Sequence, residues 1–175
     1  MLQLVSPTVS VRVVVTDTIV FTLTTQSRTQ RLARSLDPKC WICLSSYWTG
    51  KLDEQFEMAT RWPKKKADRA GVSIFDLQGI MFPYNAGEQH WGLCLIINPG
   101  HIKNFETKKE EEACMLYLDS LGWRFSPKSR DLILKWLNEE WKSCHADQTA
   151  PFTKTTIPLY QPKGKSWTTS GFMVC

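Results

Sequence analysis

The stretch HWGLCLIINPG, residues 90–100, decides the fold class of this chain. From Trp91 to Ile97 every residue except Gly92 is apolar, and the run stops at the turn-forming residues 98–100. The run is too short for a core helix, and continuous apolar character over such a length is typical of a strand that is covered on both faces. The stretch therefore predicts a buried central strand.

Working outward, Met115 to Leu118 is a second apolar run, and it predicts another buried strand that ends at Asp119. Ser126-Pro127 predicts the start of the clearest helix, because serine caps helix N-termini and proline suits the first turn. Apolar side chains four residues apart give that helix one apolar face: Ile133, Leu137 and Trp141.

Two weaker predictions complete the pattern. A helix is expected to run from Cys40–Leu44 through Tyr47 toward Met58. Thr155 to Tyr160 is interpreted as a last strand near a sheet edge. Strands and helices in this order predict a mixed α+β domain.

Composition narrows the function classes. The chain has 175 residues, which suits one domain, and a formal net charge of +5, which is only mildly basic. The run Lys64–Lys66 is interpreted as a solvated turn, so no nucleic-acid partner is expected. The apolar stretch Val9–Leu23 is interrupted by Arg12 and Asp17 and is too short to span a bilayer, so no membrane partner is expected either.

The six cysteines are scattered and mostly lie in apolar runs. This usage is typical of reduced thiols and predicts a nuclear or cytoplasmic protein. Cys40 and Cys43 form one C-x-x-C, but a zinc site would need a second pair. We therefore expect no metal and no other cofactor.

His90 and Asp119 are the candidates for catalysis. His90 opens the first predicted strand and Asp119 follows the second, and side chains at strand ends reach into clefts. A carboxylate beside a histidine fixes its tautomer and makes it an oriented general base. From the residues alone, a surface histidine and a turn-forming aspartate remain an open alternative. Ser170-Gly171, before the apolar Phe172–Val174, is a candidate nucleophile position at a helix N-terminus.

Taken together, these residues resemble the ubiquitin-like-protein-specific (sentrin/SUMO-specific) cysteine protease family, over about residues 31–175. The likeness is strongest to the subgroup with insertions in the catalytic domain. Single blocks are weak, but their order and spacing are specific. The matching blocks are residues 36–41, Arg61–Lys65, Ile74-Phe75, Ile80–Asn85, His90-Trp91, Tyr117–Leu121, Trp136–Trp141 and Ser170–Phe172.

The resemblance implies a papain-like cysteine peptidase fold, with a mixed central sheet flanked by helices. It also implies a Cys-His-Asp triad that hydrolyses the bond after the C-terminal Gly-Gly of SUMO or another ubiquitin-like protein. By position, His90 is the implied general base and Asp119 its orienting partner. Trp41 and Trp91 are the implied walls of a narrow tunnel that admits the diglycine.

The chain departs from the family pattern at three places. Ser170 stands where the family has its nucleophilic cysteine, and a hydroxyl ionises far less readily than a thiol. The oxyanion glutamine is expected at position 164, which is glycine here, and the nearest candidate is Gln161, three residues earlier. The family continues beyond the equivalent of Cys175, which predicts a C-terminally incomplete domain.

These observations predict a poorly defined N-terminal extension over residues 1–30 and a truncated ubiquitin-like-protease catalytic domain over residues 31–175. Two functions remain open. The chain is either a SUMO-deconjugating peptidase whose turnover is limited by Ser170, or a catalytically inactive pseudoprotease that binds a ubiquitin-like protein.

Overall fold

A mixed sheet forms the centre of the chain. The computed structural model describes residues 37–87, 90–102, 112–145, 149 and 151–162. Within these residues the sheet has five strands, which are adjacent in chain order. β1–β2 and β4–β5 are parallel, whereas β2–β3 and β3–β4 are antiparallel. The strands are β1 Trp41–Cys43, β2 Gly79–Gly87, β3 His90–Ile97, β4 Cys114–Leu118 and β5 Leu159–Tyr160.

Helices join and cover the strands. They are α1 Trp48–Glu54, α2 Phe56–Ala59, α3 Arg61–Ala70 and α4 Pro127–Cys144, together with a 3-10 helix at Ile74–Asp76. The predicted start of α4 is confirmed, because the Ser126 hydroxyl accepts a hydrogen bond from the Ser129 amide at 3.4 Å. None of the described helices combines the length and the apolar character needed to cross a membrane. The predicted α+β class, with a mixed sheet and packed helices, is confirmed.

Large aromatic side chains join α1 and α4 to the sheet. Trp48 and Trp136 are both fully buried, and their ring centroids lie 5.1 Å apart in an edge-to-face arrangement. The Trp48 ring also lies 4.9 Å from that of Phe82 on β2. Edge-to-face aromatic contacts add to the energy of area burial, so these rings form the centre of the core.

The opposite face of the sheet is also buried, which explains why β3 is apolar at successive positions rather than at alternate ones. Leu93 and Leu95 point to this second face, while Cys94 and Ile96 belong to the main core. The second cluster consists of Cys43, Met81, Leu93, Leu95, Leu116 and Leu118.

Three local predictions were wrong. The segment from Trp41 begins as strand β1 instead of helix, because its backbone pairs with β2, and the helix starts only at Trp48. Of the predicted last strand only Leu159–Tyr160 pairs, since the Thr153 and Thr156 hydroxyls hold the preceding residues in a turn. The lysine run 64–66 is exposed, as expected, but it lies within α3 and not in a turn.

Candidate active site

The residues singled out from the sequence lie where three strands begin or end, at the same end of the sheet. β3 runs antiparallel to β4, and β4 runs parallel to β5, so the start of β3 lies beside the ends of β4 and β5. His90 opens β3, Asp119 directly follows β4 and Gln161 directly follows β5. The topology therefore places the predicted base, its partner and the candidate oxyanion donor at one end of the sheet.

His90 and Asp119 are in direct contact. The Nε2 atom of His90 lies 2.7 Å from Oδ2 of Asp119, and their side chains are only 14% and 3% exposed. An ionised carboxylate can only accept hydrogen bonds, so Nε2 carries the proton that forms this bond. Nδ1 is then the basic nitrogen of the neutral ring, and the pair has the arrangement of an oriented general base.

The Asp119 carboxylate is held from several sides. Its Oδ1 accepts hydrogen bonds from the backbone amides of Leu121 and Trp123, at 2.9 and 3.1 Å. These amides face the carboxylate because the chain turns at Gly122, whose φ of 74° lies in the left-handed region that glycine adopts without strain. These hydrogen bonds fix the orientation of the carboxylate toward His90.

Tyr117 supplies a further donor to the same carboxylate. Its hydroxyl donates to Oδ2 of Asp119 at 2.6 Å from a fully buried position. The ring lies directly against the backbone of Gly92, where a Cβ atom would come within 2.4 Å of the ring. Gly92, the exception in the apolar run of β3, thus makes room for the tyrosine beneath the site.

Trp123 covers the imidazole. Its ring centroid lies 4.7 Å from that of His90, although the tryptophan itself is 41% exposed. Neither Tyr117 nor Trp123 was predicted from the sequence as a residue of the site. Tyr117 lies in the predicted apolar strand Met115–Leu118, and its spacing of two residues from Asp119 puts both side chains on the same face of the sheet. Trp123 could have been found as the first aromatic residue after the Asp119 turn.

Gly92→Ala is expected to destabilise the protein by about 1–3 kcal/mol, because the added methyl group overlaps the Tyr117 ring and the strand must shift. Gly50→Ala is the matched control. Gly50 lies inside α1 with nothing within 4 Å of its Cβ position, so alanine there is expected to stabilise by about 0.4–1 kcal/mol. Urea unfolding of the two variants should give shifts of opposite sign. Equal shifts would contradict the tight contact between Gly92 and Tyr117.

The two tryptophans expected to flank a tunnel lie far apart. Trp41 pairs with Gly79, which pairs with Ile97, whereas Trp91 lies six residues earlier on β3. Six residues of extended strand span roughly 20 Å. The prediction that Trp41 and Trp91 face each other across one tunnel is therefore wrong for these residues. The Trp41 ring packs over Gly79, at the end of the sheet opposite to His90.

Trp91 lies next to His90 and lines an open cleft of about 460 Å³ together with Tyr47 and Asn85. Tyr47, which is 73% exposed, follows β1 and precedes α1. Trp91 contributes an aromatic side chain to the lining of this cleft, and its role in substrate binding stays a prediction.

Gln161 reaches the same edge of the sheet. Its Nε2 lies 3.5 Å from the backbone oxygen of Trp123, at the outer limit of a hydrogen bond. The amide is thus near the residue that covers His90, and its role toward an oxyanion stays a prediction. Ser170 lies outside the described residues.

Cys43, Cys94 and Cys114 do not have the character of an activated nucleophile. Burial raises the pKa of Cys43 and of Cys114 to about 11, and it raises the pKa of the Cys94 thiol well above its usual value. The thiolate is the reactive form of cysteine, so these side chains are almost entirely unreactive at neutral pH. Cys43 and Cys94 act as small apolar core groups, whereas Cys114 is partly buried at the start of β4.

Comparisons with known proteins point to one family. No protein-family model matches the chain. A probable ubiquitin-like-specific protease 2A of Arabidopsis thaliana is 27% identical over 97 residues, which cover 55% of this chain and 12% of that protein. A solved structure of a de-sumoylating protease has a TM-score of 0.51 and 17% identity, over 84% of this chain and 52% of that one.

A structure of the SUMO protease Ulp1, with its catalytic cysteine oxidised to a sulfinic acid, gives a TM-score of 0.49 at 19% identity, over 87% of this chain and 58% of that one. The chain spans less than two thirds of the length of each of these relatives. The predicted papain-like fold is confirmed by the likeness to the de-sumoylating protease. The resemblance of this chain to the catalytic domain of SUMO-specific proteases is likewise confirmed.

Proposed function

We propose that this chain, which resembles SUMO-specific proteases in sequence and in fold, is a peptidase-type domain that acts on the C-terminal Gly-Gly tail of SUMO or another ubiquitin-like protein. The observation that carries the proposal is the 2.7 Å contact between His90 Nε2 and Asp119 Oδ2 at the edge of the sheet. The substrate class is drawn from the relatives, one named a ubiquitin-like-specific protease and another a de-sumoylating protease.

In the proposed reaction the side chain at position 170 attacks the carbonyl carbon of the terminal glycine. Its proton passes to Nδ1 of His90, and the Asp119 carboxylate stabilises the imidazolium that forms. His90 then gives this proton to the departing amine as the bond to the leaving group breaks. Water hydrolyses the resulting acyl-enzyme in a second round, with His90 again as the base. Gln161 is proposed to donate a hydrogen bond to the oxyanion.

The buried surroundings of the pair support this role. The carboxylate is only 3% exposed, with backbone donors on Oδ1 and side-chain donors on Oδ2. It cannot turn away from the histidine without losing several hydrogen bonds. The ring beside it is covered by Trp123, which excludes water from one side. Preorganised groups of this kind strengthen electrostatic stabilisation in the transition state.

A second candidate function is favoured by one feature of the sequence. Ser170 holds the nucleophile position, and its hydroxyl ionises far less readily than a thiol. The chain as it stands would then bind a ubiquitin-like tail through the cleft beside Trp91 and cleave it slowly or not at all. This second candidate function involves the same partner and the same site as the first, and it differs from the first only in turnover.

The test is hydrolysis of a fluorogenic SUMO C-terminal amide by this chain, by Ser170→Cys and by Ser170→Cys/His90→Ala. We expect Ser170→Cys to raise kcat/KM by at least about 10³-fold over the unchanged chain, and we expect His90→Ala to remove that gain. Titration calorimetry with SUMO tests tail binding by the unchanged chain. A chain that neither binds SUMO nor gains turnover from Ser170→Cys would contradict both candidate functions.

A further inference from the structure

Tyr117 lies two residues before Asp119, on the same face of the sheet, and its hydroxyl points at the site. The hydroxyl donates to Oδ2 of Asp119 at 2.6 Å, and this is the same oxygen that contacts His90. The other oxygen, Oδ1, is held by backbone amides of the following turn. Each oxygen therefore has its own hydrogen-bond donors, and only Oδ2 accepts a hydrogen bond from a side chain on β4.

The tyrosine ring cannot move away from this position. It is 1% exposed and packs against Tyr84 and Phe125, whose ring centroids lie 5.7 and 5.1 Å from its own. On a third side it lies against Gly92, where no side chain separates it from the backbone of β3. Close packing of this kind restricts the motion of the ring and so fixes the position of its hydroxyl.

The hydroxyl also remains a donor. Burial, followed by the hydrogen bond to Asp119 and the charge of that carboxylate, raises the pKa of Tyr117 far above its usual value. The group therefore keeps its proton throughout the neutral range. A protonated phenol at this distance can only strengthen the hold on the carboxylate.

We infer that Tyr117 is a positioning residue, whose hydroxyl holds Oδ2 of Asp119 in line with Nε2 of His90. Gly92 contributes to the same arrangement, because the absence of a side chain there leaves room for the Tyr117 ring beneath His90 and Asp119. The catalytic meaning of the inference rests on the proposed function. The positioning itself can be measured in the chain as it exists, with or without turnover.

Tyr117→Phe tests the inference because it keeps the ring and removes only the hydroxyl. In protein labelled with ¹⁵N-histidine, which has three histidines, the His90 Nε2–H resonance is assigned by its loss in His90→Gln. Its exchange with solvent is expected to speed up about tenfold in Tyr117→Phe, since the hydrogen bond to Asp119 is less well aligned. Tyr84→Phe is the matched control: the Tyr84 hydroxyl contacts Ser129 at 3.2 Å, so the exchange rate should stay unchanged.

An unchanged exchange rate in folded Tyr117→Phe would overturn the inference, and so would an equal acceleration in Tyr84→Phe. In the Ser170→Cys form, Tyr117→Phe is expected to lower kcat about tenfold and to leave KM unchanged, because only the His90–Asp119 geometry is affected. If Ser170→Cys shows no turnover, the proposed function fails, and the exchange measurement still decides the role of Tyr117.

Discussion

Asp119→Asn, made in the Ser170→Cys form of the chain, is expected to lower kcat for a SUMO C-terminal amide by about 10⁴-fold. The backbone amides of Leu121 and Trp123 donate to Oδ1, so the amide oxygen of asparagine must take that position. The amide NH₂ group then faces His90 and donates to Nε2. The ring proton moves to Nδ1, where it prevents the histidine from accepting a proton from the nucleophile.

Asp131→Asn is the control for this prediction, because Asp131 is an exposed carboxylate that pairs with Lys154 on the surface. Its kcat should equal that of the Ser170→Cys parent. The tautomer of neutral His90, read from ¹⁵N shifts, should change from Nε2–H to Nδ1–H in Asp119→Asn alone. A variant that kept both the Nε2–H tautomer and its turnover would show that Asp119 does not orient the ring.

Trp136→Ala is expected to destabilise the fold by about 3–5 kcal/mol. The Trp136 side chain is 0% exposed on α4 and makes an edge-to-face contact with Trp48 on α1, so its loss leaves a large cavity between helices and sheet. A loss of this size is a large part of the stability of a domain, and the variant should unfold at much lower urea concentration.

Trp123→Ala provides a matched control for the core, since it removes the same ring from a side chain that is 41% exposed. Its cost is expected to stay below about 1 kcal/mol, because most surface substitutions have small effects. Equal midpoints of urea unfolding for the two variants would contradict the assignment of Trp136 to the centre of the core.

The elements that could be predicted from the sequence are those with a local signal. The apolar runs of β3 and β4 and the cap of α4 predicted those elements, because each is a local signal. β1 was missed since it has only three residues, and its strand state depends on pairing with β2, more than thirty residues later. Such a pairing leaves no local trace.

The candidate site shows the same division. The contact between His90 and Asp119 could be predicted because both residues stand at strand ends, where antiparallel neighbours meet. Trp41 was misplaced because a sequence block does not reveal the register that puts it at the other end of the sheet. Tyr117 could not be predicted because a tyrosine within an apolar run looks like an ordinary core residue in the sequence. Only the folded structure shows that its hydroxyl donates to Asp119.

The most direct test of the proposed function is covalent labelling by SUMO that ends in a C-terminal propargylamide, an electrophile placed where the scissile bond would lie. A nucleophilic thiol adds to the alkyne, and mass spectrometry identifies the labelled residue. We expect labelling of Ser170→Cys at position 170 and loss of that labelling in Ser170→Cys/His90→Ala. Labelling at another cysteine, or labelling at position 170 that does not depend on His90, would contradict the claim that His90 and Asp119 serve a nucleophile directed at a ubiquitin-like tail.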